Sequence, residues 1–229
     1  MLELTMNIKI KIRKSMFYRT LFKVLRLLKV FVYAVRRENH LSQVMSWESD
    51  SFAMPAPHFV KQSVVLRHVI KGSTIVETGT HTGETSKLLL TASNKVFTIE
   101  PDEILYAKAN ARFMGNQGIK VLNGTSEEIF PSLLPRIFGD VSFWLDGHFS
   151  GEGTFKGKLD SPIKIELSEI QKNVNNFNKI CVLVDDVRLF NPKLLENSAY
   201  PSVDFLTDWA ITNGFNWSIE SDIFIAKNY

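Results

Sequence analysis

Ile75-Val76-Glu77-Thr78-Gly79-Thr80-His81-Thr82-Gly83-Glu84-Thr85-Ser86 decides how this chain is read. A short β-branched run ends in an acid, two glycines follow four apart, and a helical pattern begins near Gly83. The order predicts a strand, a tight glycine turn and a helix N-terminus, where backbone comes close to a ligand and free N–H groups are on offer. The stretch has neither the G-x-G-x-x-G of a dinucleotide site nor the G-K-[ST] of a P-loop. An acid at the strand end repels phosphate and welcomes an ammonium or ribose hydroxyls, so the turn fits a cationic, nucleoside-like cofactor without a phosphate chain.

Outward from the turn, strand-like and helical runs alternate. The strands are predicted over Thr74–Glu77, Lys95–Glu100, Lys120–Asn123, Val141–Asp146 and Lys179–Asp185. Helical patterns cover Gly83–Ala92, Asp102–Met114, Glu127–Ile137, Pro162–Asn176 and Ser202–Asn213, and another, His58–Lys71, precedes the first strand. Phe215–Glu220 and Ile223–Ala226 are separated only by Ser221-Asp222 and predict a hairpin. Five βα units closed by a hairpin imply an α/β fold: a doubly wound, mostly parallel, seven-stranded sheet with helices on both faces. Ligands of such sheets bind beyond the carboxyl ends of the strands.

Those ends are Glu77, Glu100, Asn123-Gly124-Thr125-Ser126, Asp146 and Asp185-Asp186. Single strand-end acids often cap the next helix. Four acidic ends on one edge would repel one another unless cations or donors offset them. S-adenosylmethionine matches the first half of the set. Glu100 is placed to accept from ribose hydroxyls, Glu77 to hold turn backbone or the methionine ammonium, and Gly79, Thr80, Gly83, Ser126 and Asp146 to line the cofactor. Strands lie about 4.8 Å apart, so Asp146, Asp185 and Asp186 could surround one hard divalent cation such as Mg²⁺. His148 follows as the expected general base for an acceptor hydroxyl. Arg188 is expected to pair with Asp186, and glycine-rich Phe149–Asp160 to form a mobile substrate loop.

The motif Glu77–Gly83 resembles the first motif of class I S-adenosylmethionine-dependent methyltransferases, with Glu100 at the family's ribose position. Trp144-Leu145-Asp146-Gly147-His148 together with Val184-Asp185-Asp186 is similar to metal-dependent O-methyltransferases of the macrocin O-methyltransferase type, and to the catechol type. The resemblance spans about residues 58–229. It implies a Rossmann-like methyltransferase fold, Mg²⁺ on Asp146, Asp185 and Asp186, and O-methylation of a sugar or related small molecule. Two departures stand out: His81 replaces the family's middle glycine, and His148 stands where catechol enzymes carry a catalytic lysine. A metal-dependent glycosyltransferase and a non-catalytic docking module are the rival readings.

Charge divides the chain differently. Residues 1–37 carry ten Lys or Arg against the single acid Glu3, a net +9, whereas the other 192 residues carry 17 bases against 23 acids, a net −6. A body of that sign argues against nucleic acid as partner. Ser15–Arg37 has helical spacing with Arg19, Lys23, Arg26, Lys29 and Arg36 on one broad face. Such a basic amphipathic arm is expected to dock on the domain, on a second subunit in a homodimer, or on an anionic membrane surface. Residues 38–57, with Trp47, Pro55 and Pro57, predict a connecting loop. No secretory signal pattern is evident, and the lone Cys181 lies in an apolar strand, so a core position and a cytoplasmic setting, peripheral to the inner membrane face where the arm binds, are expected.

Overall fold

The computed structural model describes residues 26, 37–147, 161–191 and 200–229. The chain divides into two units, Met1–Ala53 and Met54–Tyr229. In the first, residues 37–49 form a helix, α1, where the sequence predicts a connecting loop. Leu41, Val44 and Met45 supply its three- and four-residue spacing, and both prolines lie beyond its end. Trp47 closes the helix by donating its Nε1–H to the Ala53 carbonyl at 2.7 Å and meeting Phe52 edge-on at 5.1 Å. Apart from Arg26 and Arg37, the basic amphipathic segment lies outside the described residues.

The second unit begins with α2 (His58–His68), and β1 (Thr74–Thr78) then leads into α3 (Glu84–Leu89). β2 (Lys95–Glu100) is followed by α4 (Glu103–Arg112), β3 (Ile119–Asn123) by α5 (Ser126–Leu133), and β4 (Gly139–Leu145) by α6 (Ile163–Lys172). The unit ends with β5 (Phe177–Val184), α7 (Val203–Thr212), β6 (Asn216–Glu220) and β7 (Ile223–Lys227). The sheet order is β3-β2-β1-β4-β5-β7-β6. The first five of these strands are parallel, and β7 inserts antiparallel between β5 and β6. The doubly wound seven-stranded sheet expected from the sequence is therefore present, closed by the expected hairpin. Strand order reverses between β1 and β4.

Side-chain alternation along the strands divides the core between the two faces. Val76, Phe143, Val182 and Val184 join one cluster with Phe130 of α5, Leu167 and Ile170 of α6, and Leu206 of α7. Their neighbours Ile75, Trp144, Cys181 and Leu183 join the other with Val64 and Val65 of α2, Leu89 of α3 and Ala109 of α4. Cys181 is fully buried in this second cluster, and burial pushes its thiol up to about 12. The β6–β7 turn places Ser221 and Asp222 at φ 48° and 69°, the left-handed pair that a two-residue hairpin of matching twist requires.

Register lines up the strand ends. Thr78 of β1 is level with Ile99 of β2 and Leu145 of β4, and Leu145 is level with Val184 of β5. Glu100, Asp146 and Asp185 each follow by one residue, so they stand along one sheet edge. The β6–β7 turn lies at the same edge, because Val184 pairs with Phe224.

Candidate active site

The turn after β1 is built by close backbone approach. Gly79 has φ 86°, and a Cβ there would meet the Asp146 carbonyl oxygen at 2.6 Å. The Asp146 N–H donates to the Thr78 carbonyl at 3.3 Å and to Thr78 Oγ1 at 3.2 Å, which ties the β4 turn to the β1 turn. Gly83 caps α3 at φ 75° against the Phe113 ring. Thr80 is buried and shares a 2.6 Å hydrogen bond with the Thr98 hydroxyl of β2.

His81 takes the turn's middle position at φ 47°. Its backbone, rather than its ring, serves the site: the N–H donates to Glu100 Oε2 at 2.7 Å. The Asp102 N–H donates to Glu100 Oε1 at 3.0 Å. Each oxygen thus has one backbone donor, and each keeps a further lone pair for a ligand hydroxyl. Asp102 caps α4 through the Leu105 N–H at 2.8 Å, as its place after Pro101 implies. At the end of β3, Thr125 closes a capping box with Glu128, which presents the buried Ser126 as the first residue of α5.

Glu77 has no exposed surface. Ser86 Oγ donates to its Oε2, bracing the start of α3, and its Oε1 has no hydrogen-bond partner among the described residues. Burial pushes the carboxyl up to about 7, against the pull of the Ser86 and Thr98 hydroxyls and with a smaller push from Glu100. Its position is behind the turn, supporting it.

The other constellation differs from the expected metal centre. Among the described residues, no three His, Cys, Asp or Glu side chains gather as a metal-ligating group, so Asp146 does not join Asp185 and Asp186 in one ligand set. Lys61, from the first turn of α2, reaches the pair instead. Its Nζ donates to Asp185 Oδ1 at 2.7 Å and to Asp186 Oδ1. Arg188 Nη1 donates to Asp186 Oδ1 at 2.5 Å, as expected, and also to Asp222 Oδ2. The Arg188 N–H adds a 2.8 Å bond to Asp222 Oδ1, and the Val187 N–H donates to the Asp222 carbonyl at 2.9 Å. Burial and the neighbouring Asp186 charge push the Asp185 carboxyl up, while Lys61 draws it back. Burial lowers the Lys61 pKa, but the two aspartates outweigh it and hold the ammonium charged. Asp186 itself sits at φ 55°, strained backbone that the network holds.

Sequence reasoning missed Lys61 and Asp222. Lys61 reads as one polar residue in an amphipathic helix, and Asp222 as a turn former. Only the tertiary fold joins them to the aspartates: the sheet order brings the hairpin turn beside β5, and α2 carries Lys61 there. Next to Asp185 a small cavity is lined by Gly147, Ser161, Pro162, Glu166, Phe190 and Tyr200. His148 and the Phe149–Asp160 loop lie outside the described residues.

No family model matches the chain, and no curated protein is significantly similar to it in sequence. Solved structures do resemble it. A candidate caffeoyl-CoA O-methyltransferase from Staphylococcus aureus aligns with 85% of this chain and 97% of its own at 15% identity and TM-score 0.52. A SAM-dependent methyltransferase from Aquifex aeolicus aligns with 72% of this chain and 87% of its own at 17% identity and TM-score 0.48. With the sheet order above, the first of these likenesses establishes the architecture: the chain has the Rossmann-like fold of the class I methyltransferases.

Proposed function

We propose that the chain is an S-adenosylmethionine-dependent O-methyltransferase acting on a hydroxyl of a sugar or related small molecule. The observation that carries the reading is the Glu100 carboxylate, fixed by the His81 and Asp102 N–H groups beside a turn that Gly79 keeps free of a side chain. A carboxylate held in that way is a ready acceptor for the two hydroxyls of a ribose, and it repels the diphosphate that a nucleotide-sugar glycosyltransferase would bring. The O-methyl assignment draws on the resemblance of Trp144–His148 and Val184–Asp186 to macrocin-type enzymes. It agrees with the description of the S. aureus structure as an O-methyltransferase.

In the reaction, an acceptor oxygen attacks the methyl carbon in line with the sulfonium. The C–S bonding pair passes to sulfur, which leaves as the neutral thioether of S-adenosylhomocysteine. The acceptor proton goes to His148, the proposed base. The protein's remaining work is to align the two reactants and keep water out. Gly79, Thr80, Gly83, Glu100, Ser126 and Asp146 are the proposed cofactor contacts, with Glu77 bracing the turn from behind. A divalent cation would lower the acidity barrier of the acceptor hydroxyl. The Asp185–Asp186 pair does not fit that role, because the Lys61 ammonium already bonds both carboxylates.

The test is calorimetric titration of the purified chain with S-adenosylmethionine. Micromolar binding that weakens roughly ten- to a hundredfold in Glu100→Ala is expected, followed by methyl transfer to an acceptor in a screen of sugars and phenols. A folded protein that ignores the cofactor overturns the reading and directs the same titration to nucleotide sugars. The basic segment 15–37 is proposed to rest on anionic membrane. Unchanged partitioning to phosphatidylserine vesicles after its deletion would refute that. No helix among the described residues is long and apolar enough to cross a membrane.

A further inference from the structure

We infer that Lys61 is a built-in replacement for a divalent cation at the β5 edge, so that the Asp185–Asp186 pair is neutralised from within the chain and binds no metal. Two adjacent carboxylates, both buried, face a steep mutual repulsion. Something positive must stand between them. In this fold it is the ammonium of a side chain that is itself 10% exposed and within hydrogen-bond distance of both Oδ1 atoms. A Mg²⁺ bound to those same two oxygens, about 2.1 Å from each, would stand inside van der Waals contact of Nζ and meet its full charge.

The rest of the network points the same way. The other cation, Arg188, bridges Asp186 to Asp222 and leaves Asp186 engaged from two sides. Among the described residues, three acids thus share two side-chain cations, and each link is a direct hydrogen bond. Asp146, the third ligand that an octahedral site would draw on, is not gathered with the pair. α2 is anchored independently at its other end, where Arg67 and His68 bond Glu220 of β6, so Lys61 is delivered by a helix fixed at both ends. An ammonium placed in this way fixes Asp185 and the strained Asp186 backbone beside the cavity, the positioning task a metal would otherwise perform there.

The inference stands apart from the cofactor assignment, because its readout is metal binding alone. The experiment is a Mn²⁺ titration of the full chain followed by the paramagnetic resonance of the free ion, Mn²⁺ serving as the Mg²⁺ surrogate. Wild type is expected to leave Mn²⁺ free. Lys61→Ala should uncover the carboxylates and take up one ion per chain, and Lys61→Ala combined with Asp185→Asn should lose it again. If Lys61→Ala does not fold, Lys61→Met keeps the stem's packing and carries the same comparison. Uptake by wild type that Asp185→Asn abolishes would overturn the inference. So would a folded Lys61 variant that gains no ion.

Discussion

The backbone N–H of His81 and the Glu100 carboxylate, 2.7 Å apart, join the β1 turn to the end of β2, so one hydrogen bond links the turn to the proposed ribose acceptor. Glu100→Ala removes the acceptor and the turn's anchor together. Cofactor affinity should fall by roughly ten- to a hundredfold, the worth of one or two hydrogen bonds to a charged group. Asp102→Ala, which removes only the α4 cap, should cost about 1 kcal/mol of stability and leave affinity unchanged. Calorimetry and urea denaturation on the two variants separate these outcomes.

Gly79 has no room for a methyl group. Its φ is left-handed, and its Cβ would strike a backbone oxygen, which cannot swing aside as a side chain could. Gly79→Ala should therefore destabilise the fold by on the order of 2–4 kcal/mol and abolish cofactor binding. Gly214→Ala has a similar φ but open space around it, and should show only the smaller backbone penalty in the same denaturation series.

Glu77 makes stability depend on pH with an inverted sign for a carboxylate. Its folded pKa, about 7, lies above the ordinary value of 4.5, so between those limits the folded chain keeps a proton the unfolded chain has lost. Stability is favoured below pH 4.5, declines as pH rises towards 7, and bears the full penalty of about 3 kcal/mol above it. Glu77→Gln removes the titration. Relative to wild type, the variant should gain up to about 3 kcal/mol between pH 4 and pH 8, measured by urea unfolding across that range. A difference that does not change with pH would refute the assignment.

Phe143 is wholly buried at the centre of β4, with Phe130 and Phe177 rings 6.4 and 5.9 Å away. Phe143→Ala should cost about 3–5 kcal/mol. Because β4 carries Asp146 at its end, loss of cofactor affinity should accompany that destabilisation, measurable by thermal melts with and without S-adenosylmethionine.

What the sequence revealed, and what it hid, follows from the range of the interactions. Strand alternation, the glycine turn and the Ser221-Asp222 hairpin are local patterns, and each element lies where its own residues predict it. The strand-end acids were legible because strand ends in a parallel sheet share one edge. Their partners were not. Lys61 lies in a helix before the motif, and Asp222 in a turn far beyond it, so nothing near either residue in the chain marks its destination. The metal expectation failed at this point: three carboxylates on neighbouring strands signal a cation without signalling which cation. The helix over 37–49 was hidden more simply, by prolines that lie just after it.

The insertion of β7 between β5 and β6 has a consequence for synthesis. Asp222, which secures Arg188 and through it Asp186, belongs to the last strand pair of the domain, whereas Lys61 belongs to its first helix. A nascent chain that has already made the glycine turn, both glutamates and the aspartate pair still lacks the counterweight that holds Arg188 in place. Ligand protection against proteolysis should therefore arise late on the ribosome, only once the hairpin has emerged from the exit tunnel.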